Sequence, residues 1–142
     1  MIERRGDLWK HDGWKVIPTN GIIRSCRDGF RLVMGTGVSA QALEIFPRLD
    51  KIWGDWVRRN GNVPCPTPAL SLVSFPTKHY PTEQADMALI RASTLIIAEW
   101  ACREDPDEVF LPRISCGGNG PQWRQIKPLL ENLLDDRFIV LS

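Results

Sequence analysis

Short apolar runs rich in β-branched residues alternate with longer amphipathic stretches along the chain, and few arrangements bury both kinds of surface at once. Strands that bury both faces need helices above and below them. The pattern therefore predicts a layered α/β domain. Residues 7–10 and 14–17 predict two early strands joined through His11-Asp12-Gly13, and residues 31–33 a further extended piece. Residues 69–75, between Pro68 and Pro76, predict a buried strand, and residues 109–114 and 138–141 two more.

The helices come from a different period. Val38, Ala42, Ile45, Leu49, Ile52, Trp53 and Trp56 recur at spacings of three and four, which places them on one face. Pro47 should divide that stretch into two helices, and Asn60-Gly61-Asn62 should end it. A long helix is expected from a Thr82 cap to about Arg103, with Ala85, Leu89, Ala92, Ile96 and Trp100 as its inner stripe. Pro121 should open the last helix, with Trp123, Ile126, Leu130 and Leu133 inward and Pro128 kinking or restarting it.

Composition removes several classes. The 142 residues suffice for one domain, residues 1–142, that buries about two-thirds of its unfolded surface. With 18 Lys+Arg against 17 Asp+Glu the formal charge is +1, too little surplus for a general nucleic-acid coat. No apolar run is long enough for a membrane span. The opening Met1-Ile2-Glu3-Arg4-Arg5-Gly6-Asp7 lacks the apolar core of a secretory signal. Cys26, Cys65, Cys102 and Cys116 contain no CxxC pair, so no metal or redox site is expected. The expectation is a cytoplasmic monomer with reduced thiols, no metal and no cofactor.

Two strand–glycine–helix junctions concentrate the chemistry. Leu32-Val33-Met34-Gly35-Thr36-Gly37 precedes one helix and Ile114-Ser115-Cys116-Gly117-Gly118-Asn119-Gly120 precedes another. A helix N-terminus offers unpaired N–H groups and the positive dipole end, and glycines let an anion approach that backbone. Two such loops suit a diphosphate held from both sides. Neither is GxxxxGK[ST], and the first lacks the third glycine of GxGxxG, so neither a P-loop nor a dinucleotide Rossmann site is expected.

These segments, in this order, resemble a macro domain. Gly6-Asp7-Leu8, Pro18-Thr19-Asn20-Gly21, Met34-Gly35-Thr36-Gly37-Val38, Phe75-Pro76-Thr77-Lys78 and Leu111-Pro112-Arg113-Ile114 running on to Trp123 carry the resemblance over nearly the whole chain. It is nearest to the branch of terminal ADP-ribose protein glycohydrolases and DNA ADP-ribosyl glycohydrolase antitoxins. The resemblance implies a three-layer α/β/α fold around a mixed, mostly parallel sheet, and a site for ADP-ribose or an ADP-ribosylated macromolecule, DNA or protein. By it, Asp7, beside Leu8, matches the aspartate that accepts from the adenine amino group. Asn20, beside Thr19, falls near the distal ribose. Met34, Gly35, Thr36, Gly37 and Val38 match one diphosphate loop, and Ser115, Cys116, Gly117, Gly118, Asn119 and Gly120 match the other. Lys78, after Pro76 and Thr77, matches the lysine acting at the anomeric carbon. That role needs a neutral amine, hence a partly desolvated lysine with a depressed pKa.

Two departures bear on activity. The Val-Asn-x-x-Asn pattern of many macro domains is replaced by Pro18-Thr19-Asn20-Gly21, and Asn119 stands where the terminal glycohydrolases carry an aspartate. An amide cannot serve as a general base. The sequence therefore supports an ADP-ribosyl glycohydrolase and, beside it, a non-catalytic module that binds or sequesters ADP-ribose or a related nucleotide. Simpler roles stay open residue by residue: Lys78 as an ordinary surface lysine, Asp7 as a turn residue, Asn119 as a helix cap, and Cys116 as a small filler.

Overall fold

The computed structural model describes residues 1–114 and 120–142. Six strands form the central sheet in the order β1 (Ile2–Arg4), β8 (Phe138–Leu141), β7 (Val109–Pro112), β2 (Trp14–Thr19), β6 (Leu72–Pro76) and β5 (Pro66–Thr67). Every pairing is parallel except β5 with β6, so the sheet is mixed and mostly parallel. A separate antiparallel hairpin joins β3 (Ile23–Cys26) to β4 (Gly29–Leu32).

Side chains alternate across the sheet and divide the core in two. Val16, Val73, Phe75, Val109, Leu111, Phe138 and Val140 pack with α3 (Met87–Glu104) and α4 (Trp123–Leu133). Ile17, Leu72, Phe110, Ile139 and Leu141 pack on the other face with α1 (Gly37–Ile45) and α2 (Leu49–Asn60). The three-layer α/β/α arrangement follows from these two burials. Among the described residues no helix is long and apolar enough to cross a membrane.

Several local expectations change. Leu8–Lys10 forms a single 3-10 turn rather than a strand, because the Asp7 carboxylate accepts the Trp9 amide at 2.9 Å and starts the turn. The strand ahead of Pro76 begins at Leu72, because Pro68–Leu70 also makes a 3-10 turn. Helix α3 starts after Asp86, whose side chain accepts from Ala88 and Leu89, and not at Thr82. Its inner stripe is Ile90, Ser93, Thr94, Ile97, Trp100 and Ala101, leaving Ile96 exposed. Helix α4 is capped by Gln122, one residue after Pro121, and continues unbroken through Pro128. Pro47 does separate α1 from α2, and the change of direction leaves Ile45 and Ile52 exposed outside the stripe expected of them.

Candidate functional site

Strands β2, β6 and β7 run parallel, so their C-terminal ends emerge on one edge of the sheet. In open α/β sheets that edge is where ligands bind, because chain segments diverge there and leave a crevice. Here a cleft of about 370 Å³ opens at that edge. Its wall is drawn from the end of β2 (Thr19, Asn20), the approach to α1 (Gly35, Thr36, Gly37, Val38, Ser39), the end of β6 (Thr77, Lys78) and the end of β7 (Pro112, Arg113).

The β2 and β6 ends are fastened to each other. Thr19 stands opposite Pro76 in the sheet. Beyond that pair the Thr77 amide donates to the Thr19 carbonyl at 3.0 Å, and the Gly21 amide donates to the His79 carbonyl at 2.9 Å. Asn62 adds an amide hydrogen bond to the Lys78 carbonyl at 3.2 Å. The Lys78 backbone is thus held on both sides, while its side chain is half-buried at the cleft and donates Nζ to the Pro81 carbonyl at 3.0 Å.

The glycine loop before α1 is built differently. Thr36 occupies the cap position in extended conformation, and among the described residues no side chain caps the helix, whose first residues line the cleft. Gly37 has φ +58°, a conformation that favours glycine. A Cβ on Gly35 would meet nothing within 4 Å, so no contact among the described residues requires glycine there. Open space over an uncapped helix start is a cradle for an anion. Asn20 anchors this loop: its Nδ2 donates to the Val33 carbonyl at 2.8 Å and its Oδ1 accepts the Ile22 amide at 2.9 Å.

Among the described wall residues there are two cations, Lys78 and Arg113, and no carboxylate. The cleft is electrostatically suited to a negatively charged ligand. Arg113 was not among the site residues read from the sequence, although it stands inside the Pro-Arg segment that carried the resemblance. Other expected residues do not reach the wall. Leu8 and Met34 are core residues, Pro76 is buried, and Asp7 lies outside the wall with one carboxylate oxygen engaged by Trp9. Trp9 in turn donates Nε1 to Gln41 of α1 at 2.9 Å, which fixes the Asp7 turn beside that helix. Ser115, Cys116, Gly117, Gly118 and Asn119 lie outside the described residues; Gly120 is described and buried. No group of three or more His, Cys, Asp or Glu among the described residues could hold a metal ion.

The same fold occurs in solved structures. The macrodomain of Thermus aquaticus DarG superposes with a TM-score of 0.76 at 18% identity, covering 99% of this chain and 96% of that one. The chain has the macrodomain fold. A second DarG macrodomain, from Mycobacterium tuberculosis, gives 0.75 at 18% identity, again over 99% of this chain and 96% of the other. A Thermosipho africanus DarTG structure in complex with ADP-ribose gives 0.73 at 19% identity, over 96% of this macrodomain chain and 40% of the larger protein. No family model and no curated protein matches the sequence. The likeness is therefore one of fold, carried by backbone layout at low identity.

Proposed function

We propose that the cleft binds ADP-ribose and that the protein is an ADP-ribosyl glycohydrolase, releasing ADP-ribose from modified nucleic acid or protein. The observation that carries the binding half is the α1 N-terminus beside Gly35, open and uncapped among the described residues, in a wall whose described residues hold two cations and no carboxylate. A diphosphate satisfies that wall where a neutral ligand does not. The glycine-rich sequence of residues 115–120 resembles the second phosphate-binding segment of macro domains. The structure of the Thermosipho africanus relative with ADP-ribose supports the choice among diphosphates.

Lys78 is the residue assigned to turnover. Its backbone is held at the ends of β2 and β6, and its side chain lines the cleft with Nζ on the Pro81 carbonyl. Leaving Pro81, Nζ acts at the anomeric carbon of the distal ribose. In the overall hydrolysis the glycosidic bond breaks with its electron pair going to the leaving group. Water supplies a hydroxyl to the anomeric carbon and a proton to the released nucleic acid or protein, so atoms and charge balance.

Asn119 favours a second reading, binding without turnover, because an amide stands where related hydrolases carry an acid. One experiment separates them. Calorimetric titration with ADP-ribose, with AMP and ADP as controls, should show micromolar binding of ADP-ribose alone. ADP-ribosylated DNA and protein are then offered to the wild type and to Lys78→Ala. Product formed by the wild type and lost in Lys78→Ala supports the hydrolase. Binding without product supports the module. No binding at millimolar ADP-ribose rejects both.

A further inference from the structure

We propose that Arg113 is the residue that grips the anionic part of the cleft ligand, and that Glu3 on the edge strand positions it. The proposal rests on the cleft taking a phosphate-bearing ligand, as argued above. Arg113 follows β7 directly, lines the cleft, and has a side chain 50% exposed. Among the described residues none of its donors makes a hydrogen bond. Its one ion-pair partner among the described residues is Glu3, whose Oε1 lies 3.6 Å from Arg113 Nη2, beyond hydrogen-bond length.

Glu3 is already satisfied by stronger partners. Lys127 Nζ lies 2.6 Å from its Oε2, and Trp123 Nε1 donates to its Oε1 at 3.0 Å. Both come from α4, so Glu3 is fixed by a helix on one side and leaves Arg113 tethered but unconsumed on the other. Arginines elsewhere in the protein show the contrast. Arg31 closes on both Asp50 oxygens, and Arg137 on both Asp135 oxygens. Lys78, the other cation of the cleft, already donates to a carbonyl.

A guanidinium presents its donors in a planar fork that matches two oxygens of one phosphate, which an ammonium does not. With no donor hydrogen-bonded among the described residues and its direction limited by Glu3, Arg113 is preorganised for such a group. The glycine cradle at α1 offers backbone donors on the facing element. The pair therefore selects ligands by charge, and Glu3 brings α4 and the first strand into that selection.

The test is calorimetric titration of the wild type, Arg113→Gln, Arg113→Lys, Glu3→Gln and Glu3→Asp with ADP-ribose and with inorganic pyrophosphate, each at low and high salt. Arg113→Gln should weaken both ligands about tenfold or more and flatten the salt dependence, the loss expected of a hydrogen bond to a charged group. Arg113→Lys should fall between, keeping the charge without the fork. Glu3→Gln should weaken binding about two- to fivefold with the salt dependence retained, since the cation remains. Glu3→Asp should recover part of that loss. Melting curves confirm that each variant is folded. If Arg113→Gln binds ADP-ribose as the wild type does, the proposal falls while the ADP-ribose reading stands. If pyrophosphate binding depends on Arg113 but ADP-ribose does not bind, the proposal stands and that reading falls. If the wild type binds neither, both fall. If Glu3→Gln is unchanged, the positioning role of Glu3 falls alone.

Discussion

Asn20 holds the Val33 carbonyl at 2.8 Å with its Nδ2 while its Oδ1 receives the Ile22 amide at 2.9 Å, so one buried side chain braces both ends of the β3–β4 hairpin, the second of which leads to α1. Asn20→Ala leaves a carbonyl and an amide without their partner. The expected destabilisation is about 1–3 kcal/mol, read as a fall of several degrees in melting temperature. ADP-ribose binding should weaken with it, because the cradle loses its brace. Asn20→Asp keeps the acceptor for Ile22 but sets a carboxylate against the Val33 carbonyl, so it should rescue neither property. A melting temperature unchanged in Asn20→Ala would show that the loop is held by something else.

The two glycines of the cradle separate stability from binding. Gly35 has open space where a Cβ would stand and no positive φ, so Gly35→Ala should melt with the wild type. Its methyl group projects into the volume a phosphate would occupy, and ADP-ribose affinity should drop about tenfold, a penalty of ~1.4 kcal/mol. Gly37→Ala meets no atom either, but it must hold φ +58° with a side chain. That costs about 1–2 kcal/mol of stability. Parallel melting and titration of the two variants decides the matter; equal affinity of Gly35→Ala and the wild type would mean the ligand does not approach this loop.

How much of this was readable beforehand depends on what fixed each element. Strands β2, β6, β7 and β8 are apolar runs, so burial marked them in the sequence. Strand β1 is Ile-Glu-Arg at the edge of the sheet, and β3 carries exposed Arg24 and Ser25; neither shows the pattern that burial imposes. The α3 stripe was misplaced because hydropathy treats hydroxyls as outward. Ser93 and Thr94 face inward with their hydroxyls satisfied, Ser93 on the Pro76 carbonyl and Thr94 on the Ile90 carbonyl, both at 2.7 Å. In the site, the glycine loop and Lys78 were legible as local motifs. Arg113 meets Glu3, which lies at the other end of the sequence, and only tertiary structure brings the two together.

Helix α2 packs so closely on β4 that a single methyl group should disrupt it. A Cβ on Gly54 would overlap the Phe30 carbonyl oxygen and stand 2.6 Å from the Arg31 Cα. Those are backbone atoms and cannot turn aside. Gly54→Ala should destabilise by about 2–3 kcal/mol despite its better helix propensity. Urea denaturation gives the answer, and a midpoint equal to or above that of the wild type would show that α2 shifts freely against the hairpin.

The pH dependence of stability should carry the mark of Glu3. Lys127 above all, with Trp123 and Arg113, holds the Glu3 carboxyl below the usual carboxylate range, against a smaller opposing effect of burial. In the same contact Glu3 raises Lys127 above its ordinary value. For a lowered carboxyl the unfolded chain binds the proton first, so its stabilisation is complete above the unfolded pKa and disappears as pH falls through the folded one. For a raised lysine the stabilisation is complete below the unfolded pKa and disappears as pH rises through the folded one. Glu3→Gln removes both contributions together. Its urea midpoint should therefore lie below that of the wild type at pH 7, and the gap should narrow both toward pH 3 and above pH 11. Asp55, lowered first by Lys51 and next by the Phe30 amide, keeps its own acid response in the variant, so the acid slope should become shallower without vanishing. A gap that stays constant across the whole range would mean that Glu3 stabilises the fold through packing and not through its charge.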